Sequence, residues 1–174
     1  MIGNHAAIIG PTSYQWIISY FGVINSGGVI VPLDVQLPAN DLCNLIDRSD
    51  VEVLIYDDIR KDLAIEVREK CKKVKYFISM NNKESIDFSL SLNNLIDKNK
   101  GYFSCDIDRE KLCAILFTSG TTGKSKGVML NHRNLADNAI CADMGIKPGT
   151  VSMTVLPIHH AFCFTMDILK GVYC

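Results

Sequence analysis

Apolar and polar positions along this chain follow two alternating periods. Short β-branched runs at residues 6–9, 29–31, 53–56, 74–78, 112–117 and 151–156 read as strands. Amphipathic stretches separate them, which predicts an α/β fold: a mostly parallel sheet flanked by helices. Between the first two strands, Thr12 and Gln15 have the spacing of a capping box. Ile17, Tyr20, Phe21 and Ile24 then recur at helical spacing until Gly27 and Gly28 stop the helix. A second helix is predicted from near Asn40, with Leu42, Leu45 and Ile46 inward. A third follows Asp57 and Asp58, with Ile59, Leu63 and Val67 inward. Residues 81–108 are polar and weakly patterned, the reading of a surface excursion. Residues 127–130 read as a short strand, followed by a helix that Asn131 would cap.

The strand at 112–117 runs into Thr118-Ser-Gly-Thr-Thr-Gly-Lys-Ser-Lys-Gly127, which concentrates hydroxyls, glycines and lysines in one turn. Gly120 and Gly123 admit backbone angles that let consecutive N–H groups converge on an anion. Ser119, Thr121 and Thr122 add hydroxyl donors, and Lys124 and Lys126 add positive charge. Each charge-assisted hydrogen bond to phosphate is worth roughly 1.5–3 kcal/mol. A polar linker draws on the same residue types but has no need of all of them together. The Walker loop, G-x-x-x-x-G-K-[ST], shares Gly123-Lys124-Ser125 but requires glycine where Thr118 stands. It also wants a helix directly after the lysine, where this chain predicts a strand.

From Leu116 to Leu135 the sequence resembles the signature phosphate loop of the adenylate-forming superfamily, which includes acyl-CoA synthetases, luciferases and peptide-synthetase adenylation domains. Two more segments match in order. Asn25-Ser-Gly-Gly-Val-Ile-Val-Pro-Leu-Asp34 looks like an early family motif, and Leu156-Pro-Ile-His-His160 looks like the later aromatic-His motif. The wording of the motifs is closest to bacterial long-chain fatty-acyl-CoA synthetases, with a peptide-synthetase adenylation domain as the alternative. The resemblance implies that Thr118, Ser119, Gly120, Thr121, Thr122, Gly123 and Lys126 hold the β- and γ-phosphates of ATP, leaving the α-phosphorus open to a carboxylate. Fixed N–H groups and cations stabilise charge developing on phosphate without reorganising. Ser125 stands where relatives commonly have proline, which removes no donor.

By the same resemblance His160 lies at the junction of acyl and nucleotide pockets and is the candidate catalytic residue, and His132 is structural. Pro157 before the histidine pair forces the chain out of any ladder. Phe162 and Phe164 are assigned to the core, the 25–34 segment including Asp34 to the fold, and His5 to no role. The implied cofactors are ATP, Mg2+ and, as co-substrate, CoA. The family's later motifs, among them the glutamate that holds magnesium, have no counterpart here.

Composition narrows the partners. With 48% hydrophobic and 21% charged residues the chain is globular, and a net charge of −1 offers no footprint for nucleic acid. Apolar runs stay short of the ~18–20 residues of a membrane helix, so a cytoplasmic protein is expected. Cys43, Cys71, Cys105, Cys113, Cys141, Cys163 and Cys174 form no C-x-x-C pair and read as reduced thiols, mostly in the core. The chain starts almost on a strand and ends inside an apolar stretch, as expected of a partial N-terminal AMP-binding domain over 1–174, cut at both ends. Such a piece is expected to be inactive alone, at best a phosphate-binding module with ATP affinity no better than about millimolar. It is also expected to self-associate through uncovered apolar surface.

Overall fold

The computed structural model describes residues 3–85, 87–118, 125–142, 145–151 and 153–173. Seven strands form one sheet in the order β5-β4-β3-β1-β2-β6-β7. They are β1 (His5–Ile9), β2 (Val29–Leu33), β3 (Val51–Tyr56), β4 (Tyr76–Ser79), β5 (Ser89–Ser91), β6 (Leu112–Thr118) and β7 (Lys126–Asn131). Every neighbouring pair is parallel except β6 and β7, which form an antiparallel hairpin.

Parallel strands covered on both faces read as nearly continuous apolar runs. Along β1, Ala7 and Ile9 enter one core while Ala6 and Ile8 enter the other, and all four are fully buried. Helix α1 (Tyr14–Asn25) covers the second face through Trp16, Tyr20, Val23 and Ile24. Helices α2 (Ala39–Arg48) and α3 (Lys61–Lys70) cover the first through Leu42, Leu45, Ile46, Leu63 and Val67. The chain therefore changes face as it passes from β2 to β3, which lie on opposite sides of β1.

Local details differ from the sequence expectation in five places. Ser13, not Thr12, caps α1: its backbone is extended and its side chain accepts from Trp16 N at 3.2 Å. The buried stripe of α1 is correspondingly rotated, with Ile17 and Phe21 only partly buried beside it. Ile59 is 62% exposed because a 3-10 turn (Asp58–Arg60), capped by Asp57, precedes α3 and points it outward. Within the polar excursion the chain forms β5 and α4 (Leu92–Lys98), since Ser89 and Ser91 are buried with their polar groups satisfied locally. Ser91 donates to Asn82 O at 2.6 Å and accepts from Asn94 N at 3.2 Å.

The fifth difference concerns 151–156. No strand forms among its described residues, and Val151, Met153 and Val155 are 95%, 82% and 76% exposed. Alternating β-branched residues favour a pleat, but a strand also needs a neighbour for its backbone groups. None of the described strands pairs with it.

After helix α5 (His132–Cys141) the chain returns as a helical segment: α6 (Ala161–Cys163), a π-helical stretch (Phe164–Leu169) and α7 (Lys170–Tyr173). Phe164 is buried, its ring centroid 4.0 Å from that of Tyr20 and 5.8 Å from that of Trp16. Phe162, expected in the core, is 56% exposed. No helix among the described residues is long and apolar enough to cross a membrane.

Candidate functional site

Ligands of open α/β sheets gather at the carboxyl ends of the strands, where the topology reverses. Here β2 and β6 end side by side, and a cleft of about 380 Å³ opens beyond them. Asp34, Phe117, Thr118, Ser125, His159 and His160 are among its walls. These residues come from three separate stretches of sequence: the exit of β2, the β6–β7 hairpin and the turn after Pro157.

The hairpin sets the first wall. Thr118 lies opposite Lys126, and Phe117 opposite Gly127. Gly127 faces Ile115 and Phe117 so closely that a Cβ there would lie 3.1 Å from Ile115 Cγ2 and 3.4 Å from Phe117 Cε1. Any side chain at 127 would therefore press first on Ile115 and then meet the Phe117 ring. Lys126 is exposed at the mouth of the hairpin. Ser119, Gly120, Thr121, Thr122, Gly123 and Lys124 lie outside the described residues.

The second wall is the histidine turn. His160 N donates to Pro157 O at 3.0 Å, and His160 O accepts from Phe164 N at 3.0 Å, so the backbone of this residue begins the helix. Its side chain is exposed toward the cleft. His159 is half-buried, with Nε2 3.7 Å from Asp34 Oδ2. Burial pushes the His159 imidazole below the ordinary histidine value; the Asp34 carboxylate pulls it back up, and His160 pushes it down further. Asp34 also accepts from Gln36 N at 2.8 Å, which turns the chain out of β2 toward α2.

His159 separates the cleft from a second cavity of about 420 Å³, lined by Tyr20, Leu130, Leu135, Ile158 and Phe164. Pro32, Leu116 and Ala161 border both spaces. His132, at the start of α5, has its imidazole held below the ordinary value by burial and does not line the cleft. His5 accepts from or donates to no cleft group; its Nδ1 lies 2.6 Å from Ser49 O. Cys43, Cys71, Cys113 and Cys163 are buried free thiols.

Sequence reasoning singled out the hairpin and His160 but gave Asp34 to the fold and made His159 merely His160's neighbour. The signal for Asp34 was its place directly after the proline-bearing end of β2, whereas His159 follows Pro157 at the end of a segment that forms no strand. Their meeting across 125 positions needed the fold. Among the described residues no group of three or more His, Cys, Asp or Glu side chains is placed to hold a metal ion.

Comparison with known proteins gives this arrangement its context. The family model described as AMP-binding enzyme matches residues 2–174. A long-chain-fatty-acid–CoA ligase of Bacillus subtilis is 28% identical over 192 residues, covering 94% of this chain and 34% of that protein. The nonribosomal peptide synthetase criC of Aspergillus cristatus is 27% identical over 175 residues, covering 99% of this chain and 7% of that protein. Among solved structures, ATP-bound MatB from Rhodopseudomonas palustris superposes with a TM-score of 0.83 at 24% identity, covering 99% of this chain and 34% of that one. The chain thus spans about a third of the length of the ligase and of MatB, and far less of the peptide synthetase.

Proposed function

The chain belongs to the AMP-binding enzyme family, and on that premise we propose that the full-length protein uses ATP to activate a fatty acid and passes the acyl group to CoA. In the first step a carboxylate oxygen attacks the α-phosphorus, forming the acyl-adenylate and expelling pyrophosphate. In the second the CoA thiol attacks the acyl carbon, AMP leaves, and the thiol proton passes to solvent.

One observation carries this reading: three sequence-distant segments converge on a single cleft at the carboxyl ends of β2 and β6. Thr118 and Lys126, facing each other across the hairpin stem, hold the β- and γ-phosphates together with Ser119, Gly120, Thr121, Thr122, Gly123 and Lys124. His160, exposed toward the same cleft, stands beside the reacting carboxylate. The adjoining cavity lined by Tyr20, Ile158 and Phe164 is the apolar space available to the acyl chain.

The similarity to the peptide synthetase supports a second reading, an adenylation domain acting on another acid. In either reading residues 1–174 are the front part of the N-terminal domain. This chain alone is proposed to act as a weak phosphate-binding module without ligase activity. Exposed Val151, Met153 and Val155 favour its self-association, and the free thiols suit a cytoplasmic setting.

The test is pyrophosphate release by the full-length protein with a panel of fatty and amino acids. Lys126→Ala should raise the KM for ATP at least about tenfold, the loss of one charge-assisted phosphate contact. His160→Ala should lower kcat with little change in that KM. No pyrophosphate from any acid would end the proposal, and release with amino acids alone would select the second reading.

A further inference from the structure

The phosphate loop's stems are joined by a residue that lies 77 positions away from one of them. Arg48, the last residue of α2, donates from Nη2 to Ser125 O at 2.9 Å. Its guanidinium carbon also sits 5.7 Å from the centroid of the Phe117 ring. Phe117 lies on β6 one residue before Thr118, and Ser125 lies one residue before Lys126, the first residue of β7, which faces Thr118 across the hairpin. One planar cation therefore stacks on the incoming arm and hydrogen-bonds the outgoing arm.

Four features make this a built contact. Helix α2 is fixed to the sheet by Leu42, Leu45 and Ile46, so Arg48 projects from a rigid base. As a cation at a helix C-terminus it is favoured by the helix dipole. Gly127 leaves the space that the Phe117 ring occupies, where a Cβ would lie 3.4 Å from Phe117 Cε1. The acceptor on Ser125 is a backbone carbonyl, so the contact does not depend on which residue stands at 125. Lysine could supply the charge, but not a flat face for the ring and a donor at its edge together.

We infer that Arg48 is a positioning residue for the phosphate site, fixing the separation of the two hairpin stems and so the placement of Thr118 and Lys126 toward the nucleotide. The inference rests on the cleft being the phosphate site proposed above. A loop closed by hairpin pairing alone can shear along the ladder, and a third attachment from another layer of the fold opposes that. Arg48 is not a catalytic residue in this account, since what it touches is the loop's frame.

The experiment compares the wild-type chain with Arg48→Ala, Arg48→Lys and, as a distant control, Arg68→Ala. Arg68 stacks on Phe88 at 4.6 Å in the same way but far from the hairpin. Amide exchange in Lys126–Asn131 should rise roughly tenfold in both Arg48 variants and stay unchanged in Arg68→Ala. ATP titration followed by NMR should show affinity weakened about fivefold in Arg48→Ala, with millimolar guanidinium restoring part of both losses. Unchanged exchange at β7 in Arg48→Ala would overturn the inference, whatever ATP does. Raised exchange with unchanged ATP affinity would also overturn it, leaving a purely structural tie. If wild type itself fails to bind ATP, the phosphate reading of the cleft falls, while the exchange data still decide whether Arg48 ties the stems.

Discussion

The carboxylate of Asp34 lies 3.7 Å from Nε2 of His159, joining the exit of β2 to the turn that presents His160. The same carboxylate accepts from Gln36 N at 2.8 Å. One side chain thus sets the direction in which the chain leaves the sheet and holds the histidine turn against it. The pair forms one side of the cleft, so the placement of His160 depends on a residue 126 positions earlier.

The electrostatics of that pair give a signed expectation. Burial depresses the His159 pKa and Asp34 partly restores it, so Asp34→Asn should drive it lower still. An imidazole whose folded pKa is depressed contributes stability that is present above its unfolded value, about 6.5, and lost as pH falls through the folded value. In Asp34→Asn that loss should extend to lower pH than in wild type. His132 contributes with the same sign, its pKa being lowered by burial. Histidine NMR titration gives the pKa directly, and urea unfolding between neutral and mildly acidic pH gives the stability. A His159 pKa that rises in Asp34→Asn would contradict the account.

The aromatic residues after the histidines separate packing from exposure. Phe164 is 5% exposed and clusters with Tyr20, Trp16 and Phe21, so Phe164→Ala should cost about 3–5 kcal/mol. Phe162, at 56% exposure, should change stability by no more than about 0.5 kcal/mol when replaced by alanine. Urea unfolding of the two variants side by side makes the comparison, and equal losses would mean that the helical segment packs differently.

What could be read in advance follows from which signal each element carries. Strands β1, β2 and β3 are buried on both faces, and no other element writes so dense a β-branched run. Strand β5 wrote nothing legible because its buried residues are serines whose partners, such as Asn82 O, are invisible to hydropathy. The 151–156 segment shows the converse, a strand pattern without a strand, since alternation records propensity and says nothing of a partner. The capping-box spacing pointed to Thr12, one residue early, because the extended backbone that makes Ser13 the cap of α1 is not written in the spacing. At the site, the hairpin chemistry was local and therefore readable. Asp34 meeting His159 and Arg48 meeting Ser125 were not, because both contacts close only when the sheet forms.

Glycine at the end of β1 is required by a close approach. A Cβ on Gly10 would lie 2.9 Å from Asp57 Cβ and 3.7 Å from Met80 Cε. Asp57 cannot yield easily, since it caps Ile59 N at 3.0 Å and accepts from Asn81 Nδ2 at 2.7 Å. Gly10→Ala should therefore destabilise by about 1–3 kcal/mol, as overpacking does. Gly101, with nothing within 4 Å of its virtual Cβ, should tolerate alanine without loss. Thermal melts of the two variants test the contrast, and an unchanged midpoint in Gly10→Ala would show that Asp57 moves freely.

The start of α5 takes its stability from two asparagines that cap each other. Asn131 Oδ1 accepts from Asn134 N at 2.8 Å, and Asn134 Oδ1 accepts from Asn131 N at 3.1 Å. Asn131 Nδ2 also donates to Glu110 Oε2 at 3.1 Å, tying the helix start to the segment before β6. Glu110 pairs with Arg133 as well, though both are exposed and that ion pair adds little. Asn131→Ala removes the cap and the tie together and should cost about 1–2 kcal/mol. Asn131→Asp keeps an acceptor and adds a charge favoured at a helix N-terminus, but sets it against Glu110. Its cost should fall between wild type and alanine, and should shrink when Glu110→Gln is added. A double-mutant cycle by urea unfolding measures this, and no coupling between 131 and 110 would mean that the tie contributes nothing to the end of the hairpin.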